Sequence, residues 1–310
     1  MNALVGYTGF VGSNIYAAGK IDRAYNSKNI SEAFGSKPDL LIYAGLRAEK
    51  YLANKNPDAD METVRQAMKN IENISPKKLV LISTIDVFKQ PAGKNEGSEV
   101  DIEGLSAYGL NRYRFEQWTR EKYPDALIIR LPGLFGMNIK KNFIYDFIHV
   151  IPSALSENKF DELAEKEPQL REYYALQENG FYKHGELADE DRKRLKALFM
   201  DLDFTALNFT DSRNVYQFYP LSRLRGDIQT ALVNNLQLLH PATEPVSAAE
   251  VYTYLTGKKF ENKITETPAY YDYRSNYAEL FGGSNGYLMD KQMVLTDIKR
   301  FVEENSTANC

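Results

Sequence analysis

The sequence predicts an α/β protein with a doubly wound parallel sheet. Short apolar, strand-like runs alternate with helix-compatible segments through the first third of the chain. The runs are too uniformly apolar for a half-exposed sheet, which is typical of parallel strands covered by helices on both faces. A glycine-rich loop at residues 6–12 follows the first run directly. Right-handed crossovers would bring the carboxyl end of every strand to one ligand-binding edge.

The predicted elements appear in alternating order. Strands are expected at residues 3–5, 40–44, 78–83 and 126–131, and helices at 11–18, 57–73 and 106–122. Pro57 suits an early helical position, and Val64, Ala67 and Ile71 fall on one helical face. Little chain separates Gly12 from Ala44, so the second and third strand–helix units are predicted to be compressed.

The second half of the chain is more charged and shows a less regular alternation of strand-like and helix-like segments. Residues 156–200 contain two charged stretches, 157–171 and 189–198, that predict a solvated helical insertion or lid. The alternative is an aromatic wall over a substrate, formed by Tyr173, Tyr174, Phe181 and Tyr182. A helix at 225–236, a strand at 237–240 and two helices around a Tyr- and Gly-rich loop are expected further on.

Composition excludes several classes of protein. The 310 residues allow one large or two ordinary domains. The net charge of -4 argues against nucleic acid as a main partner, because binding to phosphates requires an excess of positive charge. A mean hydropathy of -0.46 and the lack of a long apolar run argue against a membrane partner. The single cysteine, Cys310, excludes an internal disulfide and a thiolate metal cluster, and no metal site is predicted. No signal segment precedes the first strand, so we expect a cytoplasmic protein.

The glycine-rich loop predicts a dinucleotide site. It reads Gly6-Tyr7-Thr8-Gly9-Phe10-Val11-Gly12 and opens a helix. Glycines permit the tight turn and let backbone N–H groups approach a pyrophosphate at the helix N-terminus, where the dipole favours negative charge. We therefore expect Gly6, Thr8, Gly9, Phe10, Val11 and Gly12 to contact the cofactor.

The segment at residues 25–29 bears on which dinucleotide is bound. In the usual fingerprint an acidic residue about 20 positions after the loop binds the adenosine ribose. Here no carboxylate is available, and Ser27 and Lys28 would hydrogen-bond and neutralise a 2′-phosphate. This slightly favours NADP(H) over NAD(H), unless Lys28 is merely solvated.

A tyrosine and a strand-end hydroxyl predict acid–base chemistry. Ser83 and Thr84 end a buried strand, and Tyr108 precedes Arg112 by four residues near a helix start. That spacing puts Tyr108 and Arg112 on one helical face, and a nearby cation favours the phenolate. Tyr108 would then act as general acid or base at a carbonyl or alcohol, with Thr84 hydrogen-bonding the same oxygen.

Taken together, these motifs resemble the extended short-chain dehydrogenase/reductases of the NAD-dependent epimerase/dehydratase superfamily. The matching segments run in family order over about the first 140 residues, at 6–12, 41–45, 81–88, 107–112 and 130–136. The compressed second strand and the Ser-Thr-x-x-Val-Phe motif are also similar to those of dTDP-4-dehydrorhamnose reductases.

The resemblance implies a domain organisation and a substrate class. It implies a Rossmann-type NAD(P)-binding domain at 1–150 and a smaller C-terminal α/β substrate domain at 151–310. The helical insertion falls at about 156–200, and some elements after 200 return to the Rossmann core. The expected substrate is a nucleotide-activated sugar, and a homodimer is expected from the family.

The resemblance also implies residue roles. Tyr108 is the acid/base and Thr84 its partner, while Arg112 falls where the family lysine binds the nicotinamide ribose and lowers the tyrosine pKa. The other implied contacts are Ala44, Gly45, Ser83 and Pro132 for the cofactor, and Asn142 and Arg223 for the substrate. His149, His184 and His240 are interpreted as structural.

Asp86 and Arg112 leave alternatives open. Asp86 sits where family dehydratases carry a base, but Ile85 stands where they have an acid, so Asp86 acts either as a base or as a turn cap. Arginine keeps the charge of the family lysine but is planar and bulkier. The motifs predict an NAD(P)-dependent oxidoreductase, and the resemblance implies that it reduces or epimerises a nucleotide-linked sugar. The alternative is a dinucleotide-binding sensor or scaffold that lost turnover.

Overall fold

The structure, a computed structural model, describes residues 1–307, so Cys310 lies outside the described residues. The strands are β1 Asn2–Val5, β2 Arg23–Tyr25, β3 Leu40–Tyr43, β4 Leu79–Thr84, β5 Leu127–Leu131, β6 Gly133–Phe135, β7 Leu155–Ser156, β8 Tyr174–Leu176, β9 Phe181–His184, β10 Val215–Tyr216, β11 Phe218–Pro220, β12 Leu238–Leu239 and β13 Val246–Ser247. The α-helices are α1 Phe10–Ala17, α2 Lys50–Lys55, α3 Pro57–Ile74, α4 Ala107–Lys122, α5 Phe143–His149, α6 Glu157–Lys166, α7 Asp189–Asp201, α8 Leu221–Val233, α9 Ala248–Thr256 and α10 Lys291–Thr307.

A six-stranded sheet in the order β12-β5-β4-β3-β1-β2 forms the centre of the fold, and each pair of neighbours is parallel. This confirms the predicted doubly wound α/β class. Since all six strands run the same way, the residues that follow β1, β3 and β4 emerge at one edge of the sheet. That edge carries the candidate site.

Two apolar layers cover the sheet. Residues of α3, among them Val64 and Ile71, pack with Phe115 of α4 against one face. Ile15 of α1 and Ile228 of α8 pack against the other face. Alternate residues of each strand therefore enter different cores, which explains why the strands read as continuous apolar runs.

The compressed crossover is confirmed, and two element boundaries differ from expectation. Between β2 and β3 the chain makes only a 3-10 turn at Ile30–Ala33. Helix α8 begins at Leu221, because Pro220 ends β11 in extended backbone at the helix N-cap. It ends at Val233, just before Asn235 takes a left-handed conformation with φ 55°. The predicted helix at 225–236 was therefore shifted toward the C-terminus.

The chain divides into two compact units. The first comprises residues 1–139, 215–246 and 270–295, and the second comprises residues 140–214, 247–269 and 296–307. The six-stranded sheet lies in the first unit. The functional division into a cofactor part and a substrate part stays a prediction.

The insertion at 156–200 is not purely helical, which corrects the prediction. Strand β9 pairs antiparallel with both β7 and β8, and Gly180, at φ 78°, makes the turn between β8 and β9. The Tyr182 ring stacks on Phe160 at 3.9 Å between centroids, and Tyr174 is buried and donates to the Pro152 carbonyl. These two tyrosines serve the insertion's own core and not an open wall.

No described helix is both long enough and apolar enough to span a membrane.

Candidate active site

The glycine-rich loop packs closely against its own backbone and against the end of β3. Gly6 has φ +93°, and a Cβ there would lie 2.3 Å from the Ala44 carbonyl oxygen. A Cβ on Gly12 would lie 2.0 Å from the Gly6 carbonyl oxygen. Only glycine fits at either position, because backbone atoms cannot give way as a flexible side chain can.

The N-terminus of α1 lies open above this turn. Gly9 is the N-cap and gives no side-chain cap, and Thr8 and Gly9 are both exposed. The residues Phe10 and Val11, which open the helix, are half-buried. The first amides of α1 therefore lack a side-chain acceptor, and the helix dipole favours an anion there. This arrangement fits the pyrophosphate of a dinucleotide.

Asn14 holds the loop after β6 against α1, and sequence reasoning missed it. Its Nδ2 donates to the carbonyls of Phe10 and Met137, both at 2.8 Å, and its Oδ1 accepts from Met137 N–H at 3.0 Å. Gly136 packs beside it, since a Cβ there would lie 2.7 Å from Asn14 Oδ1. The only signal in the sequence is a polar residue on the apolar face of α1.

Ser27 and Lys28 follow β2 and are exposed. The Lys28 N–H donates to Asn26 Oδ1 at 2.9 Å, and no ion pair of its ammonium occurs within residues 1–307. The end of β2 therefore offers a hydroxyl and a cation where the usual fingerprint has a carboxylate.

Three of the other predicted cofactor contacts lie at the strand ends. Ala44 is half-buried and donates its N–H to the Val5 carbonyl at 2.9 Å. Gly45 is exposed, and a Cβ there would come within 3.0 Å of the Val5 side chain. Pro132 is half-buried between β5 and β6. These residues are on the expected sheet edge, and their cofactor role stays a prediction.

Ser83 has a structural partner. Its hydroxyl donates to Glu116 Oε1 at 2.6 Å, and Glu116 also binds the guanidinium of Arg130 through both carboxylate oxygens. Glu116 and Arg130 are both buried in the first unit. The Ser83 side chain therefore satisfies a buried carboxylate, and only its backbone is left to serve a ligand.

Helix α4 places Tyr108 at the same sheet edge. Ser106 caps the helix by accepting from Gly109 N–H at 3.3 Å. A Cβ on Gly109 would lie 2.2 Å from the Asp86 carbonyl oxygen, so this glycine lets α4 approach the turn after β4. Tyr108 is 6% exposed. The close packing brings its phenol to the end of β4.

Tyr108 and Thr84 are neighbours, and their predicted shared bond to a substrate oxygen stays a prediction, but the pKa of the tyrosine is raised and not lowered. Burial is the largest influence and raises the pKa of Tyr108 above 10.0. The charge of Arg112 and hydrogen bonds with Arg112 and Thr84 lower it, while the charge of Asp86 raises it. Thr84 Oγ1 also accepts from the Asp86 N–H at 3.2 Å. The resting tyrosine is therefore the neutral phenol.

Arg112 is committed to a partner that sequence reasoning missed. Its guanidinium donates to both carboxylate oxygens of Asp60, at 3.0 and 3.1 Å, and to the Arg47 carbonyl at 3.0 Å. Its Cζ lies 4.6 Å from the Tyr108 ring centroid. Asn111 donates to the same Asp60 carboxylate at 2.9 Å. These bonds to Asp60 and Arg47 use three of the five N–H donors of Arg112, and Tyr108 takes a further bond, so few donors are left for the predicted role of binding a ribose.

Asp86 is also paired. Its Oδ1 lies 2.9 Å from Lys50 Nζ, with the Lys50 side chain 48% exposed and that of Asp86 24% exposed. The salt bridge occupies the carboxylate that would act as a base. In the turn after β4, Asp86 takes part through its backbone N–H, which donates to Thr84 Oγ1. No sequence signal marks Lys50, one of 38 Lys and Arg residues.

The two predicted substrate contacts lie in different units. Asn142, in the second unit, caps α5 by accepting from the N–H groups of Ile144 and Tyr145 at 3.0 and 3.1 Å. Arg223, on α8 of the first unit, has its Nε 4.0 Å from Asp227 Oδ2. That Nε is buried with no hydrogen-bond acceptor among the described residues. Their substrate roles stay predictions.

The described residues contain no cluster of three or more His, Cys, Asp or Glu that could hold a metal ion. His240 is buried between Arg130 and the Arg274 carbonyl, in accord with a structural role. The site is therefore built from a glycine-rich turn, a hydroxyl pair and two cation–carboxylate pairs.

No family model and no curated protein matches the sequence. Solved structures do match. A dTDP-4-dehydrorhamnose reductase from Yersinia enterocolitica is 14% identical, with a TM-score of 0.63 over 98% of this chain and 99% of its own. One from Bacillus anthracis, in complex with NADP, is 16% identical, with a TM-score of 0.62 over 98% of both chains.

An epimerase matches equally well. A mutant UDP-glucuronic acid 4-epimerase from Bacillus cereus, in complex with UDP-4-deoxy-4-fluoro-glucuronic acid and NAD, is 12% identical. Its TM-score is 0.62 over 99% of this chain and all of its own. At such identities the likeness shows the fold alone, and the chain shares the Rossmann-like α/β fold of these sugar-nucleotide reductases and epimerases.

Proposed function

We propose that the protein is an NAD(P)-dependent oxidoreductase that reduces a keto group of a nucleotide-activated sugar. One observation carries the proposal: the Tyr108 phenol and the Thr84 hydroxyl lie at the sheet edge onto which the uncapped N-terminus of α1 opens. The similar structures include reductases and epimerases named for nucleotide sugars, with NADP or NAD bound, which supports the substrate class.

The residues of the first unit fit a nicotinamide dinucleotide. Gly6, Gly9 and Gly12, with the first amides of α1, would hold the pyrophosphate. Ser27 and Lys28 would hold a 2′-phosphate, which favours NADP(H). When bound, the cofactor supplies the hydride for carbonyl reduction.

Tyr108 would supply the proton. Because burial raises its pKa, the tyrosine is protonated at neutral pH, which is the form a general acid needs to protonate the oxygen of a ketone. Thr84 would hydrogen-bond the same oxygen and fix its direction. Epimerisation begins with proton removal from an alcohol, which requires the phenolate, and a raised pKa makes that form harder to reach than the phenol that reduction uses.

One observation supports a second candidate function, a dinucleotide-binding sensor or scaffold without turnover. Arg112 stands at the family lysine position but is held by Asp60 and by the Arg47 carbonyl. A protein that only senses the cofactor has no need of a free cation there. A homodimer and a cytoplasmic location stay predictions.

The test is a titration followed by a substrate screen. Purified protein is titrated with NADPH and NADH by nicotinamide fluorescence, and then given NADPH with UDP-, dTDP- and GDP-linked 4-keto sugars while the nicotinamide absorbance is followed. We expect tighter NADPH binding and consumption of NADPH with at least one sugar. Gly9→Val is the matched control, because its backbone φ of -81° accepts a side chain while the added methyls would crowd the pyrophosphate position.

The alternative gives a different result. Binding of NADPH with no consumption across all the keto sugars would favour the sensor. Equal dinucleotide binding by Gly9→Val would contradict the placement of the cofactor.

A further inference from the structure

The short helix α2 carries a lysine to the reaction site. Lys50 and Asn54 are four residues apart and share one face of the helix. Asn54 Oδ1 accepts from the Tyr108 N–H at 2.9 Å, and Lys50 Nζ contacts Asp86 Oδ1 at 2.9 Å. The helix is therefore fastened both to the backbone of Tyr108 and to the turn that follows Thr84.

Lys50 differs from Arg112 in its freedom to change partners. The Arg112 side chain is 5% exposed and bound to Asp60, whereas the Lys50 side chain is 48% exposed and contacts a single carboxylate, that of Asp86. An ammonium on a four-carbon stem can also reorient, while a planar guanidinium in a bidentate pair cannot without losing both bonds.

The charged and titratable groups that act on Tyr108, on Lys50 or on their partners come from several elements. These are Lys50 on α2, Asp60 on α3, Asp86 after β4, Arg112 on α4, and Tyr271 of the segment before α10. Burial opposes the protonated form of Lys50, but the charges of Asp86, Tyr271 and Tyr108 raise its pKa overall. Lys50 is therefore a stable cation, and its partner Asp86 is also a charged neighbour of Tyr108.

Building on the proposed function, we propose that Lys50 is a positioning residue that supplies positive charge to the Tyr108 oxygen once Tyr108 has given up its proton. In the reduction, the bound nicotinamide would give a hydride that forms the new C–H bond on the sugar carbon while the C=O π bond breaks. At the same time the O–H bond of Tyr108 breaks and an O–H bond forms on the sugar oxygen. The negative charge stays on the Tyr108 oxygen until water returns a proton. Asp86 holds the ammonium nearby in the resting state and releases it toward the phenolate.

The test measures Tyr108 directly and needs no substrate. The protein is labelled with tyrosine carrying ¹³C at Cζ, and the Tyr108 signal is identified by its loss in Tyr108→Phe. Its titration midpoint is then compared in wild type, Lys50→Met, Lys50→Arg and Lys55→Met. Lys55 is the exposed last residue of α2 and serves as the matched control.

We expect Lys50→Met to raise the midpoint by about one pH unit or more, since it removes a cation near the phenol. Lys50→Arg should return it to within about half a unit of wild type, and Lys55→Met should leave it unchanged. Equal midpoints in wild type and Lys50→Met would overturn the proposal. So would a wild-type Tyr108 that stays protonated throughout the pH range of the folded protein.

NADPH binding and sugar reduction by the same wild-type sample are measured separately. Failure of those assays with a shifted Lys50→Met midpoint would overturn the proposed function but leave the Lys50–Tyr108 interaction standing. Active wild type with an unshifted midpoint would do the reverse.

Discussion

Two ion pairs flank Tyr108, and they are built differently. Asp60 and Arg112 form a buried, bidentate pair, whereas Lys50 and Asp86 form a half-exposed pair with one short contact. The buried pair joins α3 to α4 and fixes where the tyrosine stands. The exposed pair has room to exchange partners during a reaction. The difference separates a cation that builds the site from one that can respond to charge within it.

Replacing Arg112 or Lys50, one at a time, should give the largest difference in the free energy of unfolding. We expect Arg112→Met to lower the free energy of unfolding by about 3–5 kcal/mol, because it leaves the largely buried Asp60 carboxylate without a cation, with only the Asn111 hydrogen bond remaining. Lys50→Met should cost about 1 kcal/mol or less, as exposed pairs do. Urea unfolding of both variants at pH 7 measures the contrast.

A double variant checks the cause. Asp60→Asn added to Arg112→Met removes the stranded charge and should recover part of the loss. Equal losses in Arg112→Met and Lys50→Met would contradict the distinction between the two pairs.

Glu116 and Arg130 form a third ion pair, which is fully buried. His240 contacts Arg130, so the titration of His240 is sensitive to the charge of this pair. Burial and the Arg130 charge lower the pKa of His240 from 6.5 to about 3. The unfolded chain then binds a proton that the folded protein does not, so stability falls as the pH drops below about 6.5. Between pH 7 and pH 5 this should remove about 2 kcal/mol.

His240→Gln is the variant for this test, because its amide can still bond to Arg130 and to the Arg274 carbonyl. Unfolding by urea at pH 5, 6 and 7 should show the wild type losing about 2 kcal/mol more than His240→Gln. Parallel pH curves for the two proteins would show that His240 is protonated in the folded state.

In contrast to the paired cations, Lys28 is exposed and forms no ion pair among the described residues. We expect Lys28→Ala to weaken NADPH binding about tenfold, near 1.4 kcal/mol, through loss of a contact to the 2′-phosphate. NADH, which lacks that phosphate, serves as the internal control and should bind unchanged. An equal loss for both dinucleotides would place Lys28 elsewhere than at the 2′-phosphate.

Local patterns carried most of the correct predictions. The turn at Gly6 and Gly12 follows from the spacing of glycines at a strand end, and the placement of Thr84 at the end of β4 follows from an apolar strand that ends in two hydroxyl residues. Such features depend on a few consecutive residues. The sheet class could be predicted for the same reason, since each buried strand shows its own apolar run.

The partners of the charged residues could not be predicted. Asp60 lies 52 positions from Arg112, and Lys50 lies 36 positions from Asp86, so each pair exists only after the helices pack. Ser83 was predicted to contact the cofactor, but its hydroxyl donates to the buried Glu116 carboxylate, a partner that the sequence did not indicate. The hairpin of the insertion was missed because its only signal, Gly180, stands in a charged stretch.

The most direct test of the account is a single-turnover comparison of wild type with Tyr108→Phe. Protein in excess of NADPH is mixed with the 4-keto sugar nucleotide that the screen identifies, and the loss of nicotinamide absorbance is timed. We predict that both proteins bind NADPH equally and that Tyr108→Phe reacts about 10³-fold more slowly, because the proton donor is gone while Thr84 remains. Equal rates for the two proteins would contradict the assignment of Tyr108 as the acid and with it the proposed reduction.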